Sequence, residues 1–342
     1  MTLKPDNRPR ILTNFRGGQD EKWWPYISYL GPPAARPIDQ LHGLVHPLRH
    51  AWRMYRTRRQ YDFAIIAAST RAGTFFCLLQ ALLPFRSIPV FLYECLWDPS
   101  PNPLKRALHS LYLKVVSRVC YGFVIFSEVD RAAYTRAFGI PADKMYAVPY
   151  CTTLSSFASA VSDGGYVFAG GDSLRDYRQL LDAIDGLPYR VIIATNIRDQ
   201  FAGRTLGAEV TVRGTSHEEF RELMAAAAVH VLPLAAGFVR SVGHQTYLNG
   251  MALGKPVIVT DQRGTLEYME SGVDGVTVAH GDTQGLREWI VRLMESPQLR
   301  REIGERAKLK AAQFSGSAHL ERLLNLAVGE YRRKYLVEAA HG

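Results

Sequence analysis

Cysteine is scarce in this chain of 342 residues. Cys77, Cys95, Cys120 and Cys151 are separated by wide, unequal intervals that match neither a zinc-ligand spacing nor a disulfide framework, so they read as reduced core residues. Long apolar runs are missing as well. No stretch reaches the roughly 18 residues that a membrane-spanning helix needs, and the first fifteen residues, MTLKPDNRPRILTNF, lack the apolar core of a secretory leader. These absences lead to the expectation of a cytoplasmic protein, with peripheral attachment to the inner face of the plasma membrane as its one route to a bilayer. No GxGxxG occurs anywhere, which argues against a nicotinamide dinucleotide enzyme. The second half has no closely spaced acidic pair of the DxD kind, so no metal is expected there, and no organic cofactor either.

Acidic residues are sparse in the first half only. Residues 1–155 carry 20 Lys and Arg against 10 Asp and Glu, a net charge of +10, whereas residues 156–342 carry 21 against 22. A basic segment joined to a neutral one points to an anionic partner for the first. Nucleic acid is disfavoured as that partner because no recognised binding module is present. At 342 residues and 47% hydrophobic, the chain has material for two cores.

Apolar segments such as YDFAIIAAS, PVFLYECLWD, GFVIFS, YVFAG, YRVIIAT, VHVLPL and KPVIVT alternate with helical ones. That is the pattern of a parallel sheet buried on both faces. Ligands of such sheets bind beyond the carboxyl ends of the strands. The candidates there in the first half are Gly17 and Gly18 after the first strand, Arg71 in a turn, and Glu94 and Asp98 in the last part of PVFLYECLWD; Glu94 is the candidate for contacting or deprotonating an acceptor. Trp23, Trp24 and Tyr26 are either an acceptor platform or packing.

His42, His46 and His50 recur every four residues, but Pro47 argues against one helix through all three. Arg49, Arg53, Arg56, Arg58 and Arg59 form a basic helix with Trp52 and Tyr55 interleaved. In Pro103–Val119 the residues Arg106, Ser110, Lys114 and Arg118 share one face, with Leu104, Leu108, Leu111, Val115 and Val119 on another. This basic amphipathic helix is either a core helix with a cationic outer side or a contact for anionic lipid through Arg106, Lys114 and Arg118. Ser127 and Asp130 have capping-box spacing.

In the second half two glycine-rich turns precede helices: Gly170-Gly171-Asp172-Ser173-Leu174-Arg175, and the loop Ala235–Gly243 with Arg240 and Ser241 before a helix starting near His244. Helix N-termini present unpaired N–H groups and a positive dipole end, which suits an anion such as a phosphate.

The run Met251-Ala-Leu-Gly-Lys-Pro-Val, followed by Thr260-Asp261, Gly264, Glu267 and Gly272-Val-Asp-Gly275, resembles the nucleotide-sugar domain of the retaining GT-B glycosyltransferases of the large family four, the glycosyl transferases of group 1. Phe138-Gly-Ile-Pro and Val148-Pro also resemble that family ahead of its interdomain linker. The resemblance implies an α/β GT-B fold: two Rossmann-like doubly wound domains facing a cleft, at residues 1–155 and 156–316, with a C-terminal helix over 317–342 crossing back to the first. It implies transfer of a sugar, with retention and without metal, from a nucleoside-diphosphate sugar to a hydroxyl of a lipid-linked or polysaccharide acceptor.

The implied donor-binding residues are Gly170, Gly171, Arg213, Gly214, Ser241, Gly243, His244, Gln245, Thr246, Asn249 and Glu267, with Arg175 and Arg240 neutralising the leaving diphosphate. The family's two acidic positions fall on Ser241 and Asn249. Two neutral hydrogen-bonding groups therefore stand where the family has carboxylates, and this leaves a second reading open: a non-catalytic sugar-nucleotide or glycan-binding partner in a glycan-building complex.

Overall fold

The computed structural model describes residues 9–15, 26–34, 43–83, 87–154, 161–260 and 264–341. Gly17, Gly18, Trp23, Trp24, His42 and Asp261 lie outside these residues. The chain divides into two compact units, one of Met1–Pro149 with His319–Gly342 and one of Tyr150–Ala318.

The first unit is built on a six-stranded parallel sheet in the order β2-β1-β3-β4-β5-β6. Its strands are β1 (Ile11–Thr13), β2 (Ile27–Tyr29), β3 (Phe63–Ala67), β4 (Val90–Tyr93), β5 (Cys120–Ile125) and β6 (Met145–Ala147). Central strands β3 and β4 are buried at every residue, which is why their sequences are continuously apolar rather than alternating. Strands β2 and β6, which sequence patterning does not single out, are three-residue edge strands too short to carry a period. Helices α1 (Val45–Thr57), α2 (Arg71–Leu82), α3 (Pro103–Val116) and α4 (Asp130–Phe138) connect successive strands. Right-handed crossovers that all step in one direction across the sheet place these helices side by side on one face.

The other main helix of this unit, α10 (Gly316–His341), is fixed to it by Tyr331 against the Phe63 ring at 5.2 Å. Tyr146 also donates to Glu330 at 2.9 Å, and the Lys334 ammonium donates to the Tyr121 carbonyl at 2.9 Å.

The structure refines three readings of the sequence. Helix α1 runs without a break through His46, Pro47 and His50, because Pro47 is the third helical residue, where no intrahelical N–H bond is lost. His46 and His50 turn to backbone carbonyls of Pro33 and Leu30 rather than to each other. Helix α4 starts at Asp130 with Val129 rather than Ser127 at its N-cap, and Val129 offers no side-chain cap. Helix α3 stops at Val116, before Arg118. Its leucine stripe is not core: Leu104, Leu108 and Leu111 are 68%, 57% and 57% exposed, and the helix is anchored through Leu113 and Val116.

The second unit also has a six-stranded sheet, all parallel, but in a different order, β12-β11-β10-β7-β8-β9. Its strands are β7 (Val167–Gly170), β8 (Val191–Ala194), β9 (Val210–Arg213), β10 (Val229–Leu232), β11 (Val257–Thr260) and β12 (Val276–Val278). Its helices are α5 (Tyr177–Ile184), α6 (His217–Ala226), α7 (His244–Ala252), α8 (Thr283–Glu295) and α9 (Pro297–Ala311). Asp176, Ser216, Asp282 and Ser296 each cap their helix by accepting a backbone N–H. One core lies under α5 and α8, where Tyr177, Leu180, Ile193, Val231, Leu286 and Ile290 are buried. A second lies under α7 and α9, built on Tyr247, Leu248, Met251 and Tyr268. Among the described residues no helix is long and apolar enough to cross a membrane.

Candidate functional site

In both units the polar side chains of interest stand where the strands end. In the second unit the loop after β7 wraps around one buried cation. Gly171 has φ +112°, and a Cβ there would meet the Arg175 guanidinium at 2.8 Å, so only glycine lets the loop close over that group. Leu174 is held at φ +57°, a left-handed conformation that costs a residue with a side chain roughly 1–2 kcal/mol. Arg175 itself is 7% exposed. Its Nε donates to the Gly170 carbonyl at 3.1 Å, Nη1 to the Ser173 carbonyl at 2.7 Å, and Nη2 to Thr246 Oγ1 in the first turn of α7 at 3.1 Å. All three acceptors are neutral, and among the described residues no carboxylate pairs with this guanidinium. Burial pulls its pKa down, opposed by Tyr177 and by the field of Asp172.

Asp172, which sequence reasoning passed over, ties the end of β7 to that of β8. Its carboxylate accepts from Thr195 Oγ1 at 2.8 Å, the Asn196 backbone N–H at 2.7 Å and Asn196 Nδ2 at 2.8 Å. Burial raises its pKa, and these hydrogen bonds outweigh the burial, so it is held below its usual value and is charged at neutral pH. The Thr195 N–H donates to the Arg213 carbonyl at 2.9 Å, so the turn Arg213-Gly214 belongs to the same cluster. The Arg213 side chain is taken up in an ion pair with Glu219.

Helix α7 opens at Gly243, whose φ of +83° and close approach to Leu232 and Leu234 leave no room for a Cβ. Arg240 is half-buried in the preceding loop, Ser241 is 2% exposed and Gln245 is exposed. Arg175 thus links Gly170, Gly171 and Thr246, three residues that the sequence separates by up to 76 positions.

Other predicted positions are placed elsewhere. His244 is buried in an aromatic box of Tyr150, Tyr247 and Tyr268, with ring centroids 6.1, 5.6 and 4.9 Å away; burial, with the charge of Arg240 adding, pushes its pKa down to about 3. Asn249 is 7% exposed and holds the segment entering this unit. Its Oδ1 accepts from Thr152 Oγ1 at 2.9 Å and from the Thr153 N–H at 2.8 Å, while its Nδ2 donates to Thr153 Oγ1 at 3.0 Å. Glu267 is exposed on a short helical turn that Gly264 begins.

In the first unit, Glu94 follows β4 at φ +56°, and its Oε2 accepts from Ser69 Oγ at 2.9 Å. Arg71 is exposed and donates to the Gly43 carbonyl at 3.2 Å, and Asp98 is half-buried. Asn14, which sequence reasoning missed, ties the end of β1 to that of β3: its Oδ1 accepts the Ala67 N–H and its Nδ2 donates to Thr70 Oγ1, both at 2.8 Å. A buried Asn directly after an apolar strand is the signal that could have found it. Arg106, Lys114 and Arg118 are all exposed.

Two parallel-stranded sheets, each flanked by helices, in two units joined by two crossings of the chain are the α/β architecture of the GT-B glycosyltransferases. The comparisons with known proteins add the kind of domain. Residues 169–296, within the second unit, match the family model of glycosyl transferases, group 1. A stretch of 79 residues is 32% identical to EpsD of Bacillus subtilis (strain 168). It covers 23% of this chain and spans about a fifth, 21%, of that relative.

Among solved structures, the Alr3699/HepE protein of Anabaena in complex with UDP superposes with a TM-score of 0.66 at 18% identity, over 90% of this chain and 88% of the other. The same protein in complex with UDP-glucose gives 0.66 at 17%, over 96% and 100%. Sucrose-phosphate synthase from Thermosynechococcus elongatus gives 0.63 at 17%, over 91% and 84%. At these identities the superpositions speak for the fold.

Proposed function

We propose that this chain is a retaining, family-four glycosyltransferase. It moves a sugar from a nucleoside-diphosphate sugar to a hydroxyl of a lipid-linked or polysaccharide acceptor, without a metal or other cofactor. The observation that carries the reading is the buried Arg175 charge, met only by neutral acceptors, at the joint of the Gly170–Gly171 loop and the first turn of α7. A buried cation of this kind is stabilised by an anion arriving from outside. The diphosphate lies against that loop and the α7 N-terminus, Arg240 adds a second positive charge, and the turn Arg213-Gly214-Thr215 receives the base. Preorganised donors of this sort are typically worth about 3–4 kcal/mol each to a leaving group that gains negative charge. Glu94 contacts the acceptor hydroxyl, with Arg71 and Asp98 on the same strand-end side of the first sheet, and Gly17 and Gly18 extend this acceptor set.

The neighbour solved with UDP and with UDP-glucose supports the donor class. The attachment to anionic lipid through Arg106, Lys114 and Arg118 is supported by the exposed leucines Leu104, Leu108 and Leu111 on the same helix.

One observation favours the second reading, a non-catalytic binding partner. Where the family has an acid, Asn249 spends both ends of its amide on Thr152 and Thr153 rather than offering them to a ligand. A thermal-shift panel of UDP-, GDP-, dTDP- and ADP-sugars separates the two. At 100 times its Kd a ligand adds about 2.7 kcal/mol of stability. A shift with one nucleotide, weakened in Arg240→Ala and accompanied by turnover, is the expected result. A shift without turnover favours the binding partner, and no shift with any nucleotide removes the donor site.

A further inference from the structure

Five residues far apart in the sequence meet under the strand ends of the first sheet: Phe15, Tyr93, Phe126, Pro149 and His319. His319, 5% exposed, has both ring nitrogens engaged. The Pro149 carbonyl at 2.6 Å can only accept, so Nδ1 carries the proton. Nε2, at 2.8 Å from the Tyr93 hydroxyl, is then the acceptor of the Tyr93 O–H. Burial favours this neutral ring. Tyr93 also stacks on Phe15 at 4.9 Å and sets its ring edge-on to Phe126 at 5.9 Å.

The next residue is Glu94, in the left-handed region with a side chain attached. Such a conformation persists only where the surroundings over-determine it. On its far side Cys95 is fixed as well: its N–H donates to the Val124 carbonyl at 3.3 Å and its carbonyl accepts the Tyr134 hydroxyl. The Leu96 N–H closes back on the Glu94 carbonyl at 2.8 Å. Glu94 is therefore strained between two clamps, one of which is supplied by α10, 225 residues later in the chain.

We propose that Tyr93 and His319 are positioning residues that hold the end of β4 so that the Glu94 carboxylate is presented to the acceptor hydroxyl at the expense of backbone strain. This rests on the reading that Glu94 meets the acceptor. A residue kept for folding alone would lower stability when replaced; a strained residue kept for function raises it.

Four variants decide the matter. Glu94→Gly, which suits a positive φ, is expected to raise the Tm by about 2–4 °C, while Glu94→Ala is not. Tyr93→Phe and His319→Gln are expected to speed hydrogen exchange at the Cys95 and Leu96 amides at least tenfold, with β3 unchanged. With UDP-glucose as donor, Tyr93→Phe is expected to lower transfer tenfold or more and to leave the donor-induced Tm shift intact. A fall in Tm for Glu94→Gly, or unchanged exchange at residues 95 and 96 in both clamp variants, overturns the proposal. Absence of any sugar-nucleotide binding fails the donor reading instead, and the Tm and exchange measurements still decide the positioning role.

Discussion

Both units are built on a six-stranded parallel sheet, with different strand orders, and they differ in where they place charge. In the second, Arg175 is buried beyond the carboxyl end of the interior strand β7, Lys255 is buried as well, and the outer helices carry both signs, as in α6 with Glu218, Glu219 and Arg221; the first buries Arg58. In the first, α1, α2 and α3 contain no Asp or Glu at all and carry Arg49, Arg53, Arg56, Arg71, Lys105, Arg106 and Lys114. Of the thirteen large apolar side chains that are exposed among the described residues, ten belong to this unit and three to the other. The comparison teaches that parallel sheets of the same size can present positive charge in two ways. A desolvated cation under a glycine loop is strong and specific, whereas a solvated layer of cations and leucines is weak for each residue and broad.

The sharpest way to break the contrast is to remove the buried charge. Arg175→Met keeps the length of the side chain but leaves the Gly170 and Ser173 carbonyls without their donor. Each such orphaned acceptor costs about 1–3 kcal/mol. We expect both a loss of several kcal/mol in urea unfolding of the second unit and complete loss of the nucleotide-induced Tm shift. Retention of that shift would detach Arg175 from the donor.

Acid sharpens it next. His230 and His244 are both buried, and burial pushes their pKa values down to about 4 and about 3 from 6.5. A folded pKa lowered in this way means that the unfolded chain binds more protons, so stability is complete above about pH 6.5 and falls as the pH drops towards 4. Two such groups give a slope approaching about 2.7 kcal/mol per pH unit in the lower part of that window. The measurement is Tm from pH 7.5 down to 4.5. His230→Gln should flatten the profile, and a profile unchanged by it would show that His230 does not remain neutral.

The smallest effect on stability is expected on α3. Replacing Arg106, Lys114 and Arg118 by Glu, or Leu104, Leu108 and Leu111 by Ser, should leave Tm within about 0.5 kcal/mol of its parent value, because these side chains face solvent. Flotation on anionic vesicles should fall sharply and on neutral vesicles should not change, since each basic residue near such a surface adds about 1 kcal/mol. Equal flotation on the two kinds of vesicle would remove the lipid contact.

Much of this was readable in the amino-acid order. Continuous apolar runs such as FAIIA and VIIA can be satisfied only inside a parallel sheet covered on both faces, and Gly171 and Gly243 mark turns that admit no side chain. Those are local requirements, and local sequence states them. The halves' unequal charge was equally legible, as was the place of the glycine loops before helices.

The direction in which a side chain is spent was not legible. Arg175 reads in sequence as a cation at a helix start, yet the fold turns it inward on its own loop and Thr246. Asn249 reads as a ligand contact, yet it closes on Thr152 and Thr153. The α3 leucines read equally as a buried face or as a lipid contact, and the fold leaves Leu104, Leu108 and Leu111 exposed. The strained Glu94 gives no signal in sequence, because its conformation is enforced by Tyr134 and by His319, which only the return of α10 brings to the strand end. Periodicity reports which residues need burial or a turn; which partner satisfies a hydrogen bond or a charge depends on contacts between distant segments, and those exist only once the chain has folded.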